Sequence, residues 1–284
     1  MTAAVPGAVP VETPSGKDAE YENFPVGSFL LPAHARPHVA VFYRFARAID
    51  DIADNPTLTA GEKIRRLDGF AASLEGTGGD GYETGRAMGR SLAETHIAPD
   101  HCLDLIAAFK QDAVKNRYDH WDDLMAYCLK SAAPVGRYLL DLHGGSRNGY
   151  GPSDALCNAL QVINHLQDCQ EDYEVMDRVY LPLDWMAEAG ADPSDLKAHR
   201  ASPALRQVID RCLDGTRELL RQAAALPGGL HSRRLAMESG AILDIAHVLT
   251  QRLARQDPVA GRVALSKPGT LVCCLRGALQ GLVA

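Results

Sequence analysis

The stretch FYRFARAIDDIAD, Phe42 to Asp54, decides how this chain is read. At the helical turn of about 100° per residue, Asp54 falls about 40° from Asp50, Arg47 about 60° and Tyr43 about 20°. Four polar side chains therefore share one narrow face, with Asp51 about 100° to one side. Phe42, Phe45, Ala46 and Ile49 fill most of the rest, so the spacing predicts a helix with an acidic stripe and an apolar back. A second stretch, QVINHLQDCQED from Gln161 to Asp172, repeats the design. Relative to Asn164, Asp168 lies at about 40°, Gln161 at about 60° and Asp172 at about 80°. Val162, Ile163 and Leu166 back this second face.

Like charges one helical turn apart repel by about 0.2–0.5 kcal/mol on an exposed helix. Burial makes the repulsion far worse unless a cation intervenes. DDIAD alone reads more readily as solvated surface, and the NxxxDxxxD run with Gln161 is the more specific of the two. Two runs, each backed by apolar residues, point instead to an oxygen-only site for a hard ion such as Mg2+. Mg2+ binds through few carboxylates, waters and phosphate oxygens, so two facing stripes suit a diphosphate held between metal ions. Neither run has the glycine and spacing of a calcium loop, and no P-loop occurs.

Composition agrees with a helical protein. The 284 residues are 46% hydrophobic, 23% charged and only 6% aromatic. Ala and Leu recur, and no alternating segment is long enough for a strand. Helical periods run over about 37–52, 84–96, 99–117, 121–142, 153–175, 201–226 and 231–256, separated by Gly-, Pro- and Asn-rich breaks. The expected fold is all-α, with residues 1–20 a disordered lead-in and 21–284 one helical domain. A net charge of −7 with no basic stripe argues against nucleic acid as a partner. The seven cysteines contain no CxxC pair, and no apolar signal segment precedes Lys17, so a reduced, cytoplasmic protein is expected. No apolar run is long enough to span a membrane. Leu271 to Ala284 is short and apolar, which suits a core helix, the preferred reading, or a helix lying on a membrane surface.

Both acidic runs resemble those of the squalene/phytoene synthase family, and so do residues 22–54, 115–136, 161–173 and 177–186. The resemblance implies a single isoprenoid-synthase-type domain with a central apolar cavity and the two aspartate helices facing across its mouth. It implies metal ligation by Asp50, Asp51, Asp54, Asn164, Asp168 and Asp172, with Mg2+ as cofactor. Tyr43 and Arg47 match residues near the diphosphate, and Tyr127 matches a tyrosine beside the reacting carbons. Ser28, Phe29, Gln161, Arg178 and Tyr180 match substrate-contacting positions. Lys115, Arg117 and Tyr118 suit diphosphate contact or a solvated helix end equally. Trp121 and Trp185 read as packing anchors and His165 as a wall residue.

Within the family, NFPVGS followed by LLP and RPHV is similar to the bacterial hydroxysqualene-forming branch of hopanoid biosynthesis. That branch implies presqualene diphosphate as substrate, water capture of a carbocation, and no nicotinamide cofactor. Other enzymes of that pathway are the implied partners. The alternatives are enzymes that join two prenyl diphosphates to presqualene diphosphate, dehydrosqualene or phytoene, and a non-catalytic assembly factor of similar sequence. Two departures stand out. Gln167 occupies a position where the family usually carries Arg, which argues against joining two separate diphosphates. SAAPVG, Ser131 to Gly136, brings Pro134, which is expected to kink its helix, and a hydroxyl near the reaction zone.

Overall fold

The computed structural model describes Val11, Glu12 and residues 31–283. Ser28, Phe29 and most of the expected lead-in lie outside the described residues. Val11 and Glu12 are docked: Arg66 donates to the Val11 carbonyl at 3.3 Å, and Thr84 donates twice to the Glu12 carboxylate, at 2.9 and 3.0 Å. Among the described residues the chain is helical, with isolated bridges only at Arg117–Val179 and Ser146–Leu230.

α1 (Arg36–Ala53) has proline in its first turn and buries Phe42, Phe45, Ile49 and Ile52 along one side. It packs on α2 (Ala60–Leu74), α3 (Glu83–Thr95) and α4 (Asp100–Asp112) around a first core that includes Phe70, Met88 and Leu105. α5 (Trp121–Ser131) and α6 (Ala133–Leu142) lead to α7 (Gly151–Gln167) and α8 (Cys169–Met176). A short α9 (Leu183–Ala189) precedes α10 (Pro203–Ala223), α11 (Leu226–Gly229), α12 (Arg233–Leu253) and α13 (Lys267–Val283). α7, α10 and α12 enclose the second, larger core.

Several expectations change. The helix expected over 121–142 is two, broken at Ala132 (φ −124°, ψ −48°) just before Pro134, which sits in the first turn of α6. The helix expected over 153–175 also breaks, at Asp168, so Asp168 and Asp172 stand on either side of a bend. The Asp172 N–H still donates to the Asp168 carbonyl at 2.8 Å, which keeps the two residues one turn apart. The helix expected over 99–117 stops at Asp112. α2 had no counterpart in the pattern, because its buried face mixes Leu67 and Phe70 with Arg66 and Ser73.

The preferred core reading of the C-terminus is also corrected. α13 buries Cys273, Gly277 and Gly281, while Leu271, Val272, Leu275 and Leu279 on its other faces are exposed. Glycine sets this orientation. A Cβ on Gly240 of α12 would lie 2.2 Å from the Gly277 carbonyl oxygen, and one on Gly277 would lie 2.2 Å from that of Gly240. No described helix is long and apolar enough to cross a membrane.

This seam generates a stability prediction. Gly277→Ala must push α12 and α13 apart and is expected to cost about 1–3 kcal/mol in a denaturant titration. Leu279→Gln, on the open face, is expected to stay within about 0.5 kcal/mol of wild type. A larger loss for the second variant than for the first contradicts the glycine-set packing.

Candidate active site

Three helices end at the same place. Asp54 is the C-terminal cap of α1, Asp112 is the last residue of α4, and Asp168 caps α7. A helix C-terminus carries the negative end of the backbone dipole, so carboxylates there are doubly disfavoured. Arg178 offsets part of this. Its Nη1 donates to Asp54 Oδ1 at 2.5 Å, and its Nη2 donates to the carbonyls of Ala53 (3.0 Å) and Asp112 (3.4 Å), the final residues of α1 and α4. Lys63 adds a second donor to the Ala53 carbonyl, at 2.6 Å. One guanidinium thus ties two helix ends and one carboxylate together.

The two acidic stripes line one cavity of about 500 Å3. Asp50 and Asp54 contribute from α1, and Asn164, Asp168 and Asp172 from α7 and α8. Arg47 reaches Asp50 at 2.6 Å and Asp51 at 3.1 Å, and Arg262 reaches Asp168 at 3.1 Å. These cations do not neutralise the site. Burial, then repulsion from Asp168 and Asp54, pushes the Asp172 carboxyl up to about 8. Burial and Asp54 hold Asp50 well above its ordinary range against the pull of Arg47. Lining one cavity from opposite helices, the stripes face one another, and Asp54 adds to the upward push on Asp172.

A second cavity, of about 230 Å3, shares Arg47, Asp50, Phe109, Ser131, Gln161 and Asn164 with the first and continues inward along Val39, Phe42, Leu160 and Ile242. An acidic mouth therefore opens into an apolar interior. Tyr127 and Tyr180 wall the mouth, and both hydroxyls point at Asp112, Tyr127 donating at 2.6 Å and Tyr180 at 3.5 Å. Burial lifts the Asp112 carboxyl to about 7 despite Arg178 and the tyrosine hydrogen bonds. His165 stacks on Tyr180 with ring centroids 3.5 Å apart, and burial, reinforced by Arg178, lowers its imidazole to about 3. It is a neutral ring in the cavity wall.

The structure brings together Tyr43, Arg47, Asp50, Asp54, Tyr127, Gln161, Asn164, Asp168, Asp172, Arg178 and Tyr180. Asp51 is held by Arg47 and does not line either cavity. Lys115 pairs with Asp123 at 2.6 Å and Arg117 with Asp177 at 2.6 Å, both away from the cavity walls. Trp121 and Trp185 stack on each other at 5.3 Å. Gln167 is buried and donates to the Val263 carbonyl at 2.6 Å, so it fastens the loop that carries Arg262 instead of facing the cavity. The charge taken to be missing at this acidic face is supplied by Arg262, which no local pattern in PVAGRVAL marks. Asp112, at the end of α4, was equally invisible, because only folding brings it to Tyr127 and Arg178.

Could a divalent ion fit here? Among the described residues, no group of three or more His, Cys, Asp or Glu side chains is placed to hold an ion alone. The donor set is nonetheless all oxygen, and burial together with repulsion between its carboxylates makes them favour protons. Such a site fits a metal whose remaining ligands come from phosphate and water.

Comparison with known proteins agrees with this geometry. Residues 18–268 match the squalene/phytoene synthase family. The hydroxysqualene synthase of Zymomonas mobilis is 43% identical over 90% of this chain and 87% of its own length. That of Rhodopseudomonas palustris is 41% identical over 95% and 91%. The crystal structure of the squalene synthase HpnC from Alicyclobacillus acidocaldarius superposes with a TM-score of 0.73 at 32% identity, covering 83% of this chain and 89% of that one. A dehydrosqualene synthase, 21% identical with a TM-score of 0.77, shares the fold. With two opposed acidic helix ends, an apolar cavity behind them and these relatives, the chain belongs to the squalene/phytoene synthase family.

Proposed function

We propose that the protein converts presqualene diphosphate to hydroxysqualene by loss of diphosphate, rearrangement of the resulting carbocation and capture of water. The observation that carries this reading is the run of shared lining residues from acidic mouth to apolar interior, which separates a place for diphosphate from a place for a hydrocarbon cation. Relatives about 40% identical over most of their length are hydroxysqualene synthases.

Asp50, Asp54, Asn164, Asp168 and Asp172 are the residues that would hold Mg2+. When bound, Mg2+ neutralises diphosphate oxygens and makes diphosphate a better leaving group. Arg47, Arg178 and Arg262 stand beside the same carboxylates and are placed to bind the diphosphate directly. Tyr127, Tyr180 and the neutral His165 form a stacked aromatic group in the wall of the mouth, and such π-systems favour a nearby carbocation. The apolar walls beyond them keep bulk water from quenching that cation early. Because water ends the reaction, no hydride donor is required. Gln167 no longer speaks for or against joining two prenyl diphosphates, since its side chain is spent on Val263.

Incubation with presqualene diphosphate, Mg2+ and oxygen-labelled water, without NADPH, is expected to give labelled hydroxysqualene. Squalene formed only on addition of NADPH, or efficient joining of farnesyl diphosphate, would contradict the reading. Asp50→Ala and Asp168→Ala are each expected to lower turnover on the order of 10²–10³-fold with helix content unchanged, as for loss of a group that stabilises developing charge. Near-normal activity in both variants would rule out the acidic mouth as the diphosphate site.

The raised carboxyls also predict a pH effect. Asp172 binds its proton more tightly folded than unfolded, so between its ordinary 3.8 and about 8 the folded state holds the extra proton. Stability contributed in this way is full at the acidic end of that window and is lost as pH rises through it. Asp112, lifted to about 7, acts in the same direction. The metal-free protein is therefore expected to melt at lower temperature near pH 8 than near pH 6, with Asp172→Asn flattening the dependence. A melting temperature that rises over the same interval would show that these carboxyls are not destabilised by folding.

A further inference from the structure

α7 and α12 run side by side in the same direction. At their starts, the Arg147 N–H donates to the Gly229 carbonyl at 2.9 Å, Ser146 bridges to Leu230, and His231 Nδ1 lies 2.8 Å from the Gly144 carbonyl oxygen. Past their ends, Gln167 reaches Val263. Glu238 lies in the second turn of α12 and so stands level with the first half of α7, near Cys157. At a rise of about 1.5 Å per residue, Cys157 is roughly 16 Å along α7 from Asp168. Glu238 therefore sits at the inner end of the apolar cavity, away from the acidic mouth.

Among the described residues, one oxygen of this carboxyl has no hydrogen-bond partner. Glu238 is only 8% exposed, lines the cavity with Leu160 and Ile242, and its Oε2 has no hydrogen bond. Burial alone lifts it to about 7, with no cation in opposition. Ser131, 9% exposed, is the second such group: its Oγ is also without a partner, and it lines both cavities where they join. Gln161, which shares both cavities with Ser131, is about 6 Å along α7 from Cys157, or roughly one turn. Two buried polar atoms left unsatisfied in the lining of one cavity mark a place for ordered water, since such atoms are otherwise costly.

We propose that Ser131 and Glu238 hold the water that captures the carbocation, with Glu238 taking its proton. The inference rests on the hydroxysqualene-forming reading above. Diphosphate departs toward the mouth, and water waits on the opposite, inner side of the cation. The water oxygen forms the new C–O bond with its lone pair. One water O–H bond breaks, and its proton forms an O–H bond on the Glu238 carboxylate. Cation and carboxylate both become neutral, and nothing is oxidised or reduced. Ser131 orients the water through its hydroxyl.

The test is the ratio of labelled alcohol to hydrocarbon per diphosphate released from presqualene diphosphate in oxygen-labelled water. Glu238→Leu is expected to lower that ratio at least about tenfold, the cation losing a proton to give a polyene instead. Glu238→Gln, which keeps size and hydrogen bonding, and Ser131→Ala are expected to lower it less, and Glu238→Asp to restore part of it. A ratio unchanged in Glu238→Leu and Glu238→Gln, even with all products reduced together, would overturn the proposal and leave Glu238 a packing residue. If wild type yields no labelled alcohol, the hydroxysqualene-forming reading itself falls, a result distinguishable from failure of the Glu238 role.

Discussion

The structure depends on an electrostatic conflict at one point: three helices bring their negative ends, and the aspartates that terminate them, to the mouth of a cavity. α1 ends at Asp54, α4 at Asp112 and α7 at Asp168. Nothing in helix stability favours acidic residues there. The fold tolerates them because Arg178 spans two of the helix ends, Arg47 holds Asp50 and Asp51, and Arg262 holds Asp168. In the proposed reading, the positive charge still wanting there is what bound metal ions would bring, and diphosphate would follow them.

The two cores serve this arrangement. Phe42, Phe45, Ile49 and Ile52 fix α1 on one side, and α7 is fixed on the other by α10 and α12. Between them the chain leaves a cavity instead of closing its packing, polar at the outer end and apolar within. In the proposed reaction, departure of an anion toward the polar end and survival of a cation in the apolar end would both follow from this one geometry.

Much of this was legible in the sequence, and the limits have physical causes. Asp50, Asp54, Asn164 and Asp168 could be found because helical periodicity alone stacks them on a face, and α1 and α7 obey it. Asp172 was found although its helix breaks, since the bond across the bend keeps the one-turn spacing. Asp112, Arg262 and Glu238 were missed because each reaches the cavity through tertiary packing, with no local pattern to betray it. Gln167 was misread for the complementary reason: its neighbour faces the cavity, but its own side chain turns to Val263. The outward face of α13 depends on a glycine seam with α12 that apolar content alone does not reveal.

In the proposed reading the acidic mouth is an incomplete site, closed only when metal and diphosphate arrive together. The most direct measurement is calorimetric titration of the protein with inorganic diphosphate, once with excess Mg2+ and once with a chelator. Binding of diphosphate only when Mg2+ is present, with weak Mg2+ binding when diphosphate is absent, is the predicted result. Equally tight diphosphate binding in the chelator, or a tight stoichiometric Mg2+ site without diphosphate, would contradict it.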